Sequence, residues 1–208
     1  MNKFTFLRSL ALGSGLVFGV VNANAQFGFT NSNTRLTPTS MRSGNCVVVV
    51  DVNNDGMDDI VRMDQSQDLW VDLQQRSGNF TSYNLGNVSG TNVWGMAVAD
   101  FDHNGWKDVV TGPNGAVYLA KLSWNGSTIV KTQSTLSNSA FFTQNITCGD
   151  FNNDGWDDVY VCDDNAYAKV YMNDGAGNLQ FLAHSTTSMT IGTGSKSFTV
   201  QTGLTFTV

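Results

Sequence analysis

Asp150-Phe151-Asn152-Asn153-Asp154-Gly155-Trp156-Asp157-Asp158, running into the apolar stretch Val159-Tyr160-Val161-Cys162, is the part of the chain whose reading decides the fold. Written D-x-N-x-D-G-x-x-D, it sets oxygen-bearing side chains at positions 1, 3, 5 and 9 of a short loop, with a glycine at position 6 that lets the backbone turn sharply. The backbone carbonyl of Trp156, at position 7, is then expected to point inward with them. Short carboxylates and carbonyls converging in this way suit a hard cation with oxygen ligands, and calcium is the first candidate.

The same pattern occurs twice more. Asp51-Val52-Asn53-Asn54-Asp55-Gly56-Met57-Asp58-Asp59 runs into Ile60-Val61, and Asp100-Phe101-Asp102-His103-Asn104-Gly105-Trp106-Lys107-Asp108 runs into Val109-Val110. The first aspartates fall at 51, 100 and 150, a period of about 50 residues that marks an internal repeat. The expected ligand sets are therefore Asp51, Asn53, Asp55, the Met57 carbonyl and Asp59; Asp100, Asp102, Asn104, the Trp106 carbonyl and Asp108; and Asp150, Asn152, Asp154, the Trp156 carbonyl and Asp158. Each set has three carboxylates and one asparagine, although the asparagine moves from position 3 to position 5 in the middle copy.

Composition agrees with loops and strands rather than helices. The 208 residues contain 17 acids and no glutamate, so every acid is an aspartate, and glycine is abundant at 21. Aspartate and glycine favour turns, where glutamate would favour helix. A formal net charge of −6 argues against nucleic acid or an anionic membrane surface as partner. Metal loops account for that acidity better than a solvated acidic face does.

Residues 1–25 read as a secretory signal. Lys3 and Arg8 supply its positive end, Ser9 to Val21 its apolar core, and Ala23-Asn24-Ala25 a small-x-small cleavage site after Ala25. The apolar run falls short of the ~20 residues of a membrane span, so no membrane insertion is expected after cleavage. Residues 26–43 form a polar lead, read as a linker or an added edge strand. Residues 44–186 hold three repeats, at about 44–90, 91–139 and 140–186, and residues 187–208 form a Thr/Ser/Gly-rich β tail that ends within an apolar run. That ending suggests a piece of a longer chain carrying further blades.

Within each repeat the β signals come in the same order. A first strand precedes the acid loop (Cys46 to Val50, Val93 to Ala99, Asn145 to Gly149) and a second follows it (Ile60 to Met63, Val109 to Thr111, Val159 to Cys162). A third strand follows at Leu69 to Leu73, Ala116 to Leu119 and Ala168 to Met172. Gly/Asn-rich turns then lead to a fourth, read at Arg76 to Phe80, Trp124 to Ser127 and Asn173 to Leu179. Four short antiparallel strands in about 50 residues is the size of a propeller blade. An EF-hand would need flanking helices and a bidentate Glu at position 12, where this chain has Arg62, Thr111 and Val161.

An apolar strand, D-x-[DN]-x-[DN]-G-x-x-D and a second apolar strand, as in Val98-Ala99-Asp100-Phe101-Asp102 and Asp154-Gly155-Trp156-Asp157-Asp158-Val159, resemble the FG-GAP/VCBS repeat family. Tyr171-Met172-Asn173-Asp174-Gly175-Ala176-Gly177-Asn178 resembles that family's later turn, Y-x-N-x-G-x-G. The resemblance implies an all-β chain of integrin α-like β-propeller blades, with calcium in the hairpin loop between the first two strands of each. Propellers close as rings of about four to eight blades, so three repeats are an incomplete propeller.

The function expected from this reading is calcium-dependent adhesion, or binding of an extracellular glycan or protein, by a secreted or cell-surface segment. Two alternatives stand beside it: part of a calcium-containing propeller polysaccharide lyase, and a structural spacer in a large exported protein. A lyase needs a Tyr, His, Arg or Lys cluster on one face, and the segment is poor in His and Lys. His103 and His184 complete no Ser/His/Asp or Cys/His set, and no catalytic residue is assigned. Trp106 and Trp156 are read as covering apolar surface in preference to stacking on sugars. Asp58, Lys107 and Asp157, at position 8, read as solvated loop residues. Cys46, Cys148 and Cys162 are an odd set without zinc spacing, read as small buried hydrophobes.

Overall fold

The computed structural model describes residues 5–11, 16–22, 33–37, 46–88, 91–139, 142–164 and 167–184. The chain divides into two compact units, Met1–Ser32 and Asn33–Val208. In the first, β1 (Thr5–Ala11) and β2 (Leu16–Asn22) pair as an antiparallel hairpin with Thr5 opposite Asn22. Both strands lie inside the stretch read as an export signal. The Thr/Ser/Gly-rich tail at 187–208 lies outside the described residues.

The second unit is built from three four-stranded sheets, each an antiparallel meander in chain order. The first blade has β3 (Val47–Val50), β4 (Asp59–Met63), β5 (Asp68–Gln74) and β6 (Phe80–Asn87). The second has β7 (Val93–Ala99), β8 (Asp108–Pro113), β9 (Tyr118–Trp124) and β10 (Ile129–Thr135). The third has β11 (Thr143–Gly149), β12 (Asp158–Asp163), β13 (Lys169–Asn173) and β14 (Leu179–His184). The all-β reading, with four antiparallel strands per blade, is the observed architecture, and among the described residues no α-helix interrupts it.

The fourth strands correct the sequence reading, as does the third strand of the second blade, read at Ala116 to Leu119 but running from Tyr118 to Trp124. Gln75 to Asn79 is the turn into β6, closed by Gln75 N–H donating to Asn79 O at 2.7 Å, and the strand itself begins at Phe80. Asn125 to Thr128 and Asp174 to Asn178 close in the same way before β10 and β14. The outer strand of a blade is half solvated, so its polar sequence, Thr-Ser-Tyr-Asn in β6 and Lys-Thr-Gln-Ser in β10, hides the alternation that marks the inner strands.

Side-chain alternation stacks the blades face to face. Val61, Met63, Leu69, Val71 and Leu73 of the first blade meet Met96, Val109, Ala120 and Leu122 of the second in one buried cluster. From its opposite face the second blade sends Ala97, Ala99, Val110 and Leu119 against Ile146, Val159, Val161 and Tyr171 of the third. The middle sheet is thus covered on both sides, and every residue of β8 is buried. Inner strands approach closely there: a Cβ on Gly112 would lie 2.3 Å from the Thr143 side chain, so this position takes only glycine.

The outward face of the first blade is different. Arg62 and Asp72, at positions whose counterparts in the other blades are Thr111 with Ala120 and Val161 with Tyr171, form a buried ion pair at 2.6 Å. The guanidinium lies 5.0 Å above the Trp70 ring and donates to the Thr37 carbonyl at 3.2 Å. Part of the polar lead, Asn33 to Thr37, therefore lies against this blade and satisfies a buried cation, a role more specific than a linker. Nearer the inner edge, Val47 and Val49 remain 52% and 62% exposed.

Candidate metal centre

Each acid loop joins the first two strands of its blade, and all three have one hydrogen-bonding scheme. The position-1 aspartate accepts the backbone N–H groups of positions 5 and 6: Asp51 from Asp55 and Gly56 at 3.1 and 2.8 Å, Asp100 from Asn104 and Gly105 at 3.1 and 3.0 Å, and Asp150 from Asp154 and Gly155 at 3.0 and 2.9 Å. The position-3 oxygen also accepts the position-5 N–H, as in Asn152 Oδ1 from Asp154 at 3.0 Å. The position-5 oxygen accepts the position-7 N–H, from Met57, Trp106 and Trp156 at 2.9, 2.7 and 2.9 Å. Successive N–H groups thus aim the oxygens of positions 1, 3 and 5 into the loop.

Two residues per loop hold left-handed backbone. Gly56, Gly105 and Gly155 have φ of 85°, 88° and 91°, the sharp turn expected of position 6. Asn54, His103 and Asn153, at position 4, have φ of 62°, 55° and 58°. Asparagine tolerates that conformation better than most residues, and this signal at position 4 was present in the sequence and unread.

Position 9 is the keystone. Asp59, Asp108 and Asp158 are each 0% exposed. One oxygen of each accepts the N–H of position 2 (Val52, Phe101, Phe151, at 2.9, 3.1 and 3.0 Å), and the other accepts an N–H at the end of the third strand (Gln74, Leu122, Asn173, each at 2.8 Å). The carboxylate therefore ties the loop to the turn beyond the third strand. Burial pushes the Asp108 carboxyl up to about 7; the Leu122 N–H acts against this, Asp102 adds to it, and the Phe101 N–H and Asp100 have smaller opposing effects. Asp59 and Asp158 are raised for the same first reason.

The middle loop brings its three carboxylates together: ligand oxygens of Asp100, Asp102 and Asp108 lie within 4.8 Å of one another. Its asparagine keeps Oδ1 on the Trp106 N–H while Nδ2 donates to Leu122 O at 2.9 Å. Among the described residues the flanking loops form no comparable triplet. There the position-3 amide caps the position-5 carboxylate, Asn53 Nδ2 to Asp55 at 3.0 Å and Asn152 Nδ2 to Asp154 at 2.8 Å. The oxygen-only donor set of the middle loop fits a hard divalent cation. A bound cation would offset the mutual repulsion of three carboxylates held this close.

The loops also touch across blades. Lys107 N–H donates to Val52 O at 2.8 Å, so position 8 of the middle copy is a backbone link to the first blade as well as a loop residue. Trp156 stacks on His103 of the preceding loop, with centroids 3.8 Å apart and planes 8° from parallel. Trp106 lies parallel to Trp124 at 5.9 Å and packs against the first cluster, while Trp124 is 41% exposed. Both position-7 rings thus cover neighbouring surface. Cys46, Cys148 and Cys162 are half-buried thiols, and burial raises all three, Cys46 to about 11.

Three four-stranded blades, stacked through apolar faces and carrying the same acid loop at the same edge, define a blade-repeat protein of the propeller class. The FG-GAP-like repeat pattern matches residues 51–111, 104–161 and 150–203, so the chain belongs to that repeat family. The third match runs on into the Thr/Ser/Gly-rich tail. No curated protein matches the chain in sequence.

Proposed function

We propose that the chain is a secreted, calcium-binding propeller segment that recognises extracellular glycan or protein and performs no catalysis. The observation that carries this reading is the middle loop, where Asp100, Asp102 and Asp108 converge within 4.8 Å on a loop whose backbone N–H groups orient its carboxylates. Calcium supplies charge neutralisation and rigidity at the blade edge, while Asp100 and Asp102 take first contact and Asp108 holds the loop on the third strand. The same backbone scheme at Asp51 to Asp59 and Asp150 to Asp158 supports two further sites, each needing the position-3 amide to release the position-5 carboxylate. Recognition is then calcium-dependent, weak for one chain and stronger when copies are arrayed.

Isothermal titration of the purified chain with calcium tests the metal. Uptake near the 10⁻⁴ to 10⁻³ M range of extracellular modules is expected, and absence of heat or of bound metal would refute the reading. Incubation with acidic polysaccharides, followed by ultraviolet absorbance, separates recognition from cleavage. Appearance of an unsaturated uronate would replace the binding reading with a lyase.

A further inference from the structure

The turn Asn173-Asp174-Gly175-Ala176-Gly177 belongs to the third blade, yet it reaches across to the acid loop of the second. Asn173 Nδ2 donates to the carbonyl of Phe101 at 2.9 Å and to Asp157 O at 3.3 Å. Its Oδ1 accepts the N–H groups of Gly175 and Gly177, both at 3.1 Å, which folds the turn back on itself. Gly177, at φ 77°, then lies against the middle loop: a Cβ there would sit 2.4 Å from Asp102 Cβ, 2.8 Å from Asp102 Cα and 3.0 Å from Lys121 Nζ. Since one of those atoms is backbone, a methyl group could be accommodated only by moving Asp102.

We propose that Asn173 and Gly177 are positioning residues for the middle acid loop, fixing Phe101 and Asp102 from the neighbouring blade so that calcium affinity at that loop is set across the blade boundary. The inference rests on the calcium reading above. Backbone N–H groups near Asp102 are already committed within their own blade, since Phe101 N–H serves Asp108 and Asn104 N–H serves Asp100 and Asp102. The outer side of Asp102 is bounded instead by Gly177. The contact has no counterpart one blade earlier: the residue equivalent to Asn173, by its N–H to the position-9 carboxylate, is Leu122, which has no side-chain donor, and a Cβ on Gly126 would meet nothing within 4 Å. The first loop is reached instead through the Lys107 N–H to Val52 O bond. By linkage the effect runs both ways: a cation that orders Asp102 also tightens the third blade against the second.

The experiment uses the full chain carrying Asp51→Ala and Asp150→Ala, which leaves the middle loop to dominate a calcium titration. Into it are placed Gly177→Ala and, separately, Gly175→Ala. Both glycines hold left-handed backbone in the same turn, at φ 77° and 74°, so the backbone strain of an alanine is matched, but a Cβ on Gly175 meets only Trp156 Nε1, at 3.8 Å. Gly177→Ala is expected to weaken calcium binding about 10- to 100-fold, as loss of an orienting partner does at metal sites, with Gly175→Ala unchanged. Asn173→Leu, which installs the residue the second blade carries, removes the donor to Phe101 without adding bulk at Asp102 and is expected to weaken binding in the same direction. Equal affinities in the two glycine variants, or full affinity in Asn173→Leu, would overturn the positioning role alone. No uptake by the unmodified chain would overturn the calcium reading and this inference together.

Discussion

At the scale of single residues, the position-9 aspartates decide most. Burial of Asp108, helped by the neighbouring Asp102 and Asp100, outweighs the two backbone N–H groups that its carboxylate accepts, so it binds a proton more readily in the folded chain than in the unfolded one. Folding without metal therefore takes up a proton between the ordinary aspartate range and about 7, and this contribution to stability is present at low pH and lost as pH rises through that window. Asp59 and Asp158 have shifts of the same sign. With chelator present, the urea midpoint is expected to be lower at pH 8 than at pH 5.5, and calcium should narrow the difference, because a bound cation favours the ionised form; a gap that calcium leaves unchanged would contradict this. Replacement by an isostere separates charge from scaffold. Asp108→Asn presents an amide donor to one of two N–H donors, and the unsatisfied buried group should cost ~1–3 kcal/mol in metal-free denaturation. Asp157→Ala, which removes only a half-buried position-8 side chain, should leave both stability and calcium uptake nearly unchanged.

Elements come next, and here the interface between blades governs. Position 2 of each loop is apolar, but only Val52 and Phe101 lie in the clusters between blades and are 0% exposed, whereas Phe151 of the third loop is half-buried. Phe101→Ala should therefore cost about 3–5 kcal/mol, and Phe151→Ala clearly less, in parallel denaturant titrations of the two variants. Equal costs would mean that the third blade's forward face is as well covered as that of the second. Identical pattern positions thus carry unequal energy, because burial depends on the neighbour and not on the repeat.

For the whole molecule, metal and packing act together. At ten times its dissociation constant each calcium adds about 1.4 kcal/mol, or about 4 for three independent sites, a large share of a domain's ~5–15 kcal/mol. Thermal melting with and without chelator should then differ by several degrees, and Asp100→Ala should remove more of that difference than Asp51→Ala. The reason is local: the middle loop holds three converging carboxylates, while the flanking loops hold an amide against the position-5 acid. A chain insensitive to chelator would show that the blades stand on apolar stacking alone.

By itself the sequence determined the repeat, its period, the acid loops with their turn glycines, the first two strands of every blade and the third strand of the first and last, because these follow from local rules: left-handed backbone at glycine, alternation on buried strands and Asx hydrogen bonding. It could not place the outer strands, whose solvated faces erase the alternation, nor distinguish the middle loop from its neighbours, since moving one asparagine from position 3 to position 5 keeps the charge count. Tertiary structure decided those points. Asn104 Nδ2 is tied to the Leu122 carbonyl of its own third strand, Asp102 is bounded by a glycine 75 residues further on, and Arg62 is satisfied by a carbonyl from the lead segment. Contacts between residues far apart in the chain depend on how one blade seats on the next, and that seating is fixed only when their apolar faces close.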